Sequence, residues 1–364
     1  MASLRKFSPR SFDWVLFSAV TLLLAIGLSA IYSVDLSRGQ TLYYFHRQLI
    51  SAAIGFLVLF LASLMHYTFF RSAAKAIYIF SLAMLFAVMI FGTAIRGTRG
   101  WFAIAGFSFE PVELAKIGII LLLAYIVYHF GRRFERPLFF VGTGLVTGLL
   151  MVLVILQPDL GSALIIGAIW FGIMLLVGVR KLYIGGLVLG AAVVAVVAWF
   201  FLLHPYQKDR ILMFIDPQRD PLGSGYNSIQ ATIAVGAGGL WGRGLGFGSQ
   251  SQLRFLPEAQ TDFIFTVIAE ELGLAGVAAM LILYVVVFWR LIKLVKQAPD
   301  DFAAVALSGI TILFFAQMVV NVGANSGLLP ITGVTLPFIS YGGSSLVINL
   351  FLVGVAESMV KKKY

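Results

Sequence analysis

The 364-residue sequence has no cysteine, four histidines and few charges: only 12% of its residues are Asp, Glu, Lys or Arg. The lack of cysteine excludes disulfides, thiolate metal sites and cysteine nucleophiles, and leaves the redox compartment unread. The scarcity of charge excludes a soluble domain and a disordered chain, because 60% of the residues are hydrophobic and the mean hydropathy is +0.97. What is present is apolar length: about 218 hydrophobic residues, at roughly 20 per membrane crossing, supply about ten spans. The net charge of +10 does not point to nucleic acid in such a chain; its distribution along the sequence matters more.

Long apolar runs between charged or turn-rich breaks predict an all-α polytopic membrane protein. Ten helices are expected near 13–32, 48–65, 74–93, 109–130, 139–156, 160–179, 182–203, 262–289, 302–324 and 344–360. The first run follows Arg5, Lys6 and Arg10 but is too long for a signal peptide and lacks a clear cleavage site, so it reads as a retained span. Lysine and arginine concentrate in alternate connections, at Arg71, Lys75, Arg132, Arg133, Arg136, Arg180, Lys181, Arg290, Lys293, Lys296 and Lys361 to Lys363, which predicts both termini inside. The whole chain, 1–364, reads as one membrane domain. Its longest non-spanning segment, 204–261, faces outward and is expected to hold an interfacial stretch at 206–215 and a helix near 226–235.

An ionisable group inside a membrane is a functional hypothesis by default. Asp262 precedes Arg290 by 28 residues, roughly 42 Å of helix against a hydrocarbon core of about 30 Å, so it belongs in the outer headgroup layer. Glu258, Glu270, Glu271, Glu110, Glu113, Lys116 and Asp159 fall at the same outer level, and the bilayer middle is nearly free of charge. That asymmetry suits an enzyme acting on a lipid-linked polar head better than a transporter, whose polar groups gather at the midplane. Each residue also has a plainer role open to it: Asp159 as a helix cap, Glu113 as a first-turn acid, Lys116 as its intrahelical partner. Because adjacent acids point apart on a helix, one of Glu270 and Glu271 is expected to pair with Lys116 or an arginine and the other to meet water.

The glycine-rich stretch 236–248 is not a nucleotide loop, since it lacks a Gly-Lys-Ser/Thr triplet and a preceding strand. Tight turns and close approach to headgroups are the expectation there. The uncharged segment 325–344 is expected to dip into the membrane and line a cavity.

Several motifs together resemble the SEDS family of bacterial cell-wall proteins, and its RodA branch in particular through Ser249-Gln250-Ser251-Gln252-Leu253. They are Phe255-Leu256-Pro257-Glu258-Ala259-Gln260-Thr261-Asp262-Phe263, Gln157-Pro158-Asp159-Leu160-Gly161, Pro111-Val112-Glu113-Leu114-Ala115-Lys116, Asp220-Pro221-Leu222-Gly223 and Leu336-Pro337-Phe338-Ile339-Ser340-Tyr341-Gly342-Gly343. One departure is that Gly100 separates Arg99 from Trp101, leaving Arg96 or Arg99 open for an arginine that family members place directly before the tryptophan.

The resemblance implies a glycosyltransferase that polymerises lipid II at the outer face of the bacterial inner membrane, beside a class B penicillin-binding protein. It implies Asp262 as the catalytic base, with Glu113, Lys116, Asp159 and Glu258 orienting the site. Arg210, Arg243 and Arg96 or Arg99 are the candidate cations for the leaving pyrophosphate. A divalent cation, Mg or Mn, is an alternative clamp, and Asp262 could hold it instead of a proton. A lipid II flippase and a noncatalytic scaffold are the competing functions.

Overall fold

The computed structural model describes residues 12–37, 39, 42–95, 98–104, 107–130, 134–202, 208, 212, 214, 216, 219, 220 and 225–359. Its long helices are α1 (Trp14–Ser37), α2 (Tyr43–Leu64), α3 (Tyr67–Phe91), α4 (Pro111–Phe130), α5 (Pro137–Ile155), α6 (Leu160–Val177) and α7 (Lys181–Val197), which runs on into a π turn (Ala198–Leu202). After the outer loop, with α8 (Tyr226–Ala237) and the single turn α9 (Ser249–Gln252), come α10 (Ile264–Lys296), α11 (Asp301–Asn325) and α12 (Gly343–Ser358). Eight of these are long and apolar enough to cross a membrane, and the first part of α7, Lys181–Gly190, and the whole of α12 are shorter apolar helices. The ten apolar runs of the sequence thus each form a helix.

The expected helical membrane fold is what forms, with one small addition: β1 (Thr93–Ile95), β2 (Thr98–Ile104) and β3 (Phe107–Phe109) make an antiparallel sheet in the order β1-β2-β3, between α3 and α4. Two of its strands have three residues each, and the seven-residue β2 does not alternate apolar with polar, so none is recognised by pattern. One expectation needs correction: the acids of α10 do not divide between Lys116 or an arginine and water. Both are buried, Glu270 at 0% and Glu271 at 1% exposure, and both are held by α9 and its neighbours.

Ion pairs mark one face of the bundle. Arg290 of α10 donates to Asp13, at the start of α1, with Nε 2.8 Å from Oδ2, and the Asp13 N–H donates to Glu357 at the end of α12 (3.0 Å). Arg71 meets Asp300 at the same level (2.9 Å). The first and last described helices therefore end on one side, as an even number of crossings requires. Inside, α4 is buried almost all round, as expected for a helix without a polar face, and packs against α3, α6 and α11. Small residues let backbones close up: a Cβ on Gly354 of α12 would lie 2.3 Å from the Leu59 carbonyl of α2. By contrast α7 turns Leu182, Leu189 and Val193 outward, and the π turn after it Phe201, a surface suited to lipid.

The 326–342 segment is irregular and enters the bundle, as anticipated. Leu336, Phe338 and Ile339 are buried, and Tyr284 of α10 donates its hydroxyl to the Pro337 carbonyl (2.6 Å). Gln48 of α2 both donates to the Ser340 carbonyl and accepts from the Gly342 N–H. Such backbone is tolerated at this depth because protein groups satisfy it.

α10 breaks at Gly273, whose φ of 66° and ψ of −165° fall in a region reserved for glycine. The glycine-rich turn fills the gap as a backbone splint. Leu274 and Ala275 donate to the Gly239 and Leu240 carbonyls, and Arg243 and Gly244 donate to those of Glu270 and Glu271. The close approach expected of these glycines is thus made to α10. Gly273→Ala would place its Cβ 2.2 Å from the Gly242 nitrogen as well as force the dihedral strain of about 1–3 kcal/mol, so a clear fall in thermal midpoint is expected by scanning calorimetry in detergent.

Candidate active site

The face opposite the Asp13–Arg290 pair carries a group of carboxylates around one lysine. Pro111 starts α4, so Glu113 and Lys116 fall in its first turns, three residues apart on one side of the helix. Their side chains form a buried ion pair, Nζ to Oε1 2.7 Å, with residue exposures of 2% and 4%. Asp159 caps α6, accepting the Ser162 N–H at 2.9 Å, as its plainer role anticipated. The α6 start then runs against the 331–334 backbone, where a Cβ on Gly161 would lie 2.5 Å from the Thr332 carbonyl oxygen. Asp262 lies beside the same strand of chain: its Oδ2 would be 3.8 Å from a Cβ on Gly333.

The backbone under Asp262 is fixed by α11. Asn325 and Asn321 donate side-chain N–H groups to the Asp262 carbonyl, at 2.8 and 3.2 Å, and Thr266 orients Asn325 by donating to its Oδ1 (2.6 Å). Asn321 also donates to the Val334 carbonyl (2.8 Å), tying the Gly333 strand to the same helix. On the preceding side, Ser340 donates to the Thr261 carbonyl, and Tyr341 N–H to that of Gln260. Glu258 sits at φ 55°, a left-handed conformation uncommon outside glycine, and accepts from the Gln260 side chain (2.9 Å). Two chain segments are therefore stitched together so that Asp262 emerges from a rigid frame.

Glu110, at the step from the sheet into α4, joins this group. It lies within electrostatic reach of Glu113, Asp159, Lys116 and Asp262, and loss of solvation, then the charges of Glu113 and Asp159, push its carboxyl well above the usual range. Glu110→Gln, a permanent copy of the neutral form, is accordingly expected to keep near-normal stability, measured as a thermal midpoint against pH. Wild-type stability should fall as pH rises above the ordinary carboxylate range, because the folded state holds a proton there that the unfolded chain has released. The variant should lack that fall.

The structure brings Asp262, Glu113, Lys116 and Asp159 together at one face, with Glu258 four residues before Asp262. Arg243 is exposed, and its guanidinium donates to the Ala237 carbonyl and to Ser249, both at 3.3 Å, which fastens the glycine-rich turn. Arg99 lies on β2 in its backbone, while Arg96, Arg210 and most of the 206–215 stretch lie outside the described residues. The helix expected near 226–235 is α8. Asn321 and Asn325 were missed in the sequence, although two asparagines four apart on an apolar span are themselves a signal, and Ser340 stood there only as part of a motif, with no role. Asn325→Leu should leave the Asp262 carbonyl short of a donor, a loss of about 1–3 kcal/mol, and should lower turnover more than substrate affinity in a steady-state assay.

Among the described residues, no group of three or more His, Cys, Asp or Glu side chains is arranged to hold a metal ion.

These features define a polytopic integral membrane protein with a rigid acidic site on one face and a re-entrant segment beneath it. Residues 12–364 match the model of the FtsW/RodA/SpoVE family of cell cycle proteins, and the chain belongs to that family. It is 36% identical to the peptidoglycan glycosyltransferase MrdB of Escherichia coli, over 88% of this chain and 86% of that protein. It is 35% identical to the stage V sporulation protein E of Bacillus subtilis, over 96% of each. Among solved structures, a chain from a peptidoglycan synthase complex that coordinates polymerization and crosslinking superposes with a TM-score of 0.82 at 32% identity, covering 95% of this chain and 96% of that one. The rod shape determining protein RodA of Thermus thermophilus superposes with a TM-score of 0.71 at 29% identity, over 95% and 96%.

Proposed function

We propose that this chain is a peptidoglycan glycosyltransferase that polymerises lipid II into glycan strands at the outer face of the bacterial inner membrane, for cell elongation and shape. The observation that carries the reading is the placement of charge: the carboxylates and Lys116 form one group at a single face, and the Asp13–Arg290 and Arg71–Asp300 pairs lie at the opposite edge. A flippase would need polar groups continuing between the two levels, so that reading is disfavoured. The likeness to MrdB and to a chain of a synthase complex supports both the activity and a class B penicillin-binding protein as partner.

In the proposed reaction, a sugar 4-hydroxyl attacks C1 of a second sugar that carries prenyl pyrophosphate. The O4–C1 bond forms, the C1–O bond to pyrophosphate breaks, and the hydroxyl proton passes to the Asp262 carboxylate. The pyrophosphate leaves with the electron pair, so it needs cations rather than an acid. Arg210 and an arginine at 96 or 99 are the cations of this proposal, since Arg243 is tied to the glycine-rich turn, with Glu113, Lys116, Asp159 and Glu258 orienting them or the sugar. As an alternative role, Asp262 would hold a Mg or Mn ion, which would supply positive charge for the leaving group.

The test is strand formation from labelled lipid II by the copurified partner complex in liposomes, with and without a chelator. Polymer made by the complex and absent from the partner alone supports the assignment. Translocation of labelled lipid II without polymer, under conditions where an authentic polymerase works, would replace it with the flippase reading. Polymer that survives chelation favours Asp262 as a base, and polymer lost to chelation and restored by Mg or Mn favours the cation role.

A further inference from the structure

The glycine-rich turn between α8 and α9 carries Leu240, Trp241, Leu245 and Phe247 on its outside, with Trp241 82% and Phe247 77% exposed. Four large apolar side chains within eight residues make a patch that calls for a partner surface. The height of the turn in the bilayer is set by its backbone. It is spliced into the break of α10 at Gly273 by the four hydrogen bonds described above. Arg290, which marks the inner edge through Asp13, follows Gly273 by 17 residues, roughly 25 Å of helix. The hydrocarbon core is about 30 Å thick, so the turn meets α10 at the outer limit of the acyl chains and not in the water beyond. Charge agrees: residues 236–257 include Arg243 and Arg254, both exposed, and no acid. Arginine suits phosphate, and aromatic rings suit the headgroup level.

We infer that the 240–247 turn is an interfacial anchor, with Trp241, Phe247 and their leucine neighbours immersed in outer-leaflet phospholipid and the two arginines at its phosphates. The anchor is also a depth gauge. The same splint joins it to residues 264–272 of α10, the half-helix that begins two residues after Asp262, and Glu270 fastens α9 to that half by accepting the Gln250 and Ser251 N–H groups at 2.8 and 3.1 Å. The level of the turn in the leaflet thereby sets the level of the carboxylate. This inference needs the membrane topology alone and stands apart from the proposed chemistry.

The chain has no cysteine of its own, so single cysteines report without background. Trp241→Cys and Phe247→Cys would be labelled with the fluorophore NBD in the full-length protein, in nanodiscs of phosphatidylethanolamine and phosphatidylglycerol. Val152→Cys on the outer surface of α5, 54% exposed, is the lipid control, and Gln297→Cys between α10 and α11 is the water control. Only variants with wild-type gel-filtration profiles are read, and Leu245→Cys replaces either that fails. The expected result is loss of fluorescence to doxyl-labelled lipid to the extent seen at Val152→Cys, with resistance to iodide. Iodide quenching like that of Gln297→Cys would place the turn in water. Resistance to both quenchers would mean that protein covers it. Either outcome overturns the inference.

Discussion

Replacing Asp262 by asparagine is expected to lower strand formation by about 10²- to 10⁴-fold, the usual worth of a general base, while leaving the fold intact. The asymmetry follows from how the residue is held. The hydrogen bonds from Asn321 and Asn325 reach its backbone carbonyl, and those at Thr261 and Gln260 are likewise to main chain, so an isosteric side chain leaves the frame unchanged. What changes is the ability to take a proton from a sugar hydroxyl. The comparison is made with labelled lipid II and the copurified partner, after matching thermal midpoints and partner recovery between variant and wild type. Equal polymer from both would remove Asp262 from the chemistry even if the chain proved to be a polymerase.

Lys116→Met should be the most damaging single change to stability, because it leaves the Glu113 carboxylate buried with its cation gone. Breaking a buried pair in this way costs about 3–5 kcal/mol, whereas replacing both partners with apolar side chains of similar size is often neutral. The double variant Glu113→Leu with Lys116→Met is therefore expected to recover most of the thermal stability that the single change loses. It is not expected to recover polymerisation, since Lys116 is the cation set among Glu110, Glu113, Asp159 and Asp262. Recovery of both properties would make the pair a structural element alone. Calorimetry and the lipid II assay on the same preparations decide between these outcomes.

Which parts of this were legible beforehand follows from the length scale of each signal. A span is written in about twenty consecutive residues, so all ten apolar runs were readable, and the depth of Asp262 followed from its distance to Arg290. The Glu113–Lys116 pair and the Asp159 cap were readable too, because three-residue spacings on a helix fix neighbours. The small sheet was not, since two of its strands have three residues each and the seven-residue β2 does not alternate apolar with polar. The destination of Glu270 and Glu271 was hidden for a different reason. Their partners, Ser33 and the residues of α9, lie far off in sequence or in a loop without periodicity.

Alone, the sequence determined a membrane-spanning chain with its polar chemistry at one face, because bilayer thickness and helical rise convert residue counts into depth. Only the tertiary structure decided that Asp262 rises from a frame of two asparagines and a re-entrant strand, that Glu110 belongs to its group, and that the glycine-rich turn is spliced into a broken α10. Each of these joins segments separated by many residues. Such contacts depend on how helices pack, and packing is set by shape and hydrogen-bond satisfaction, which no local pattern records.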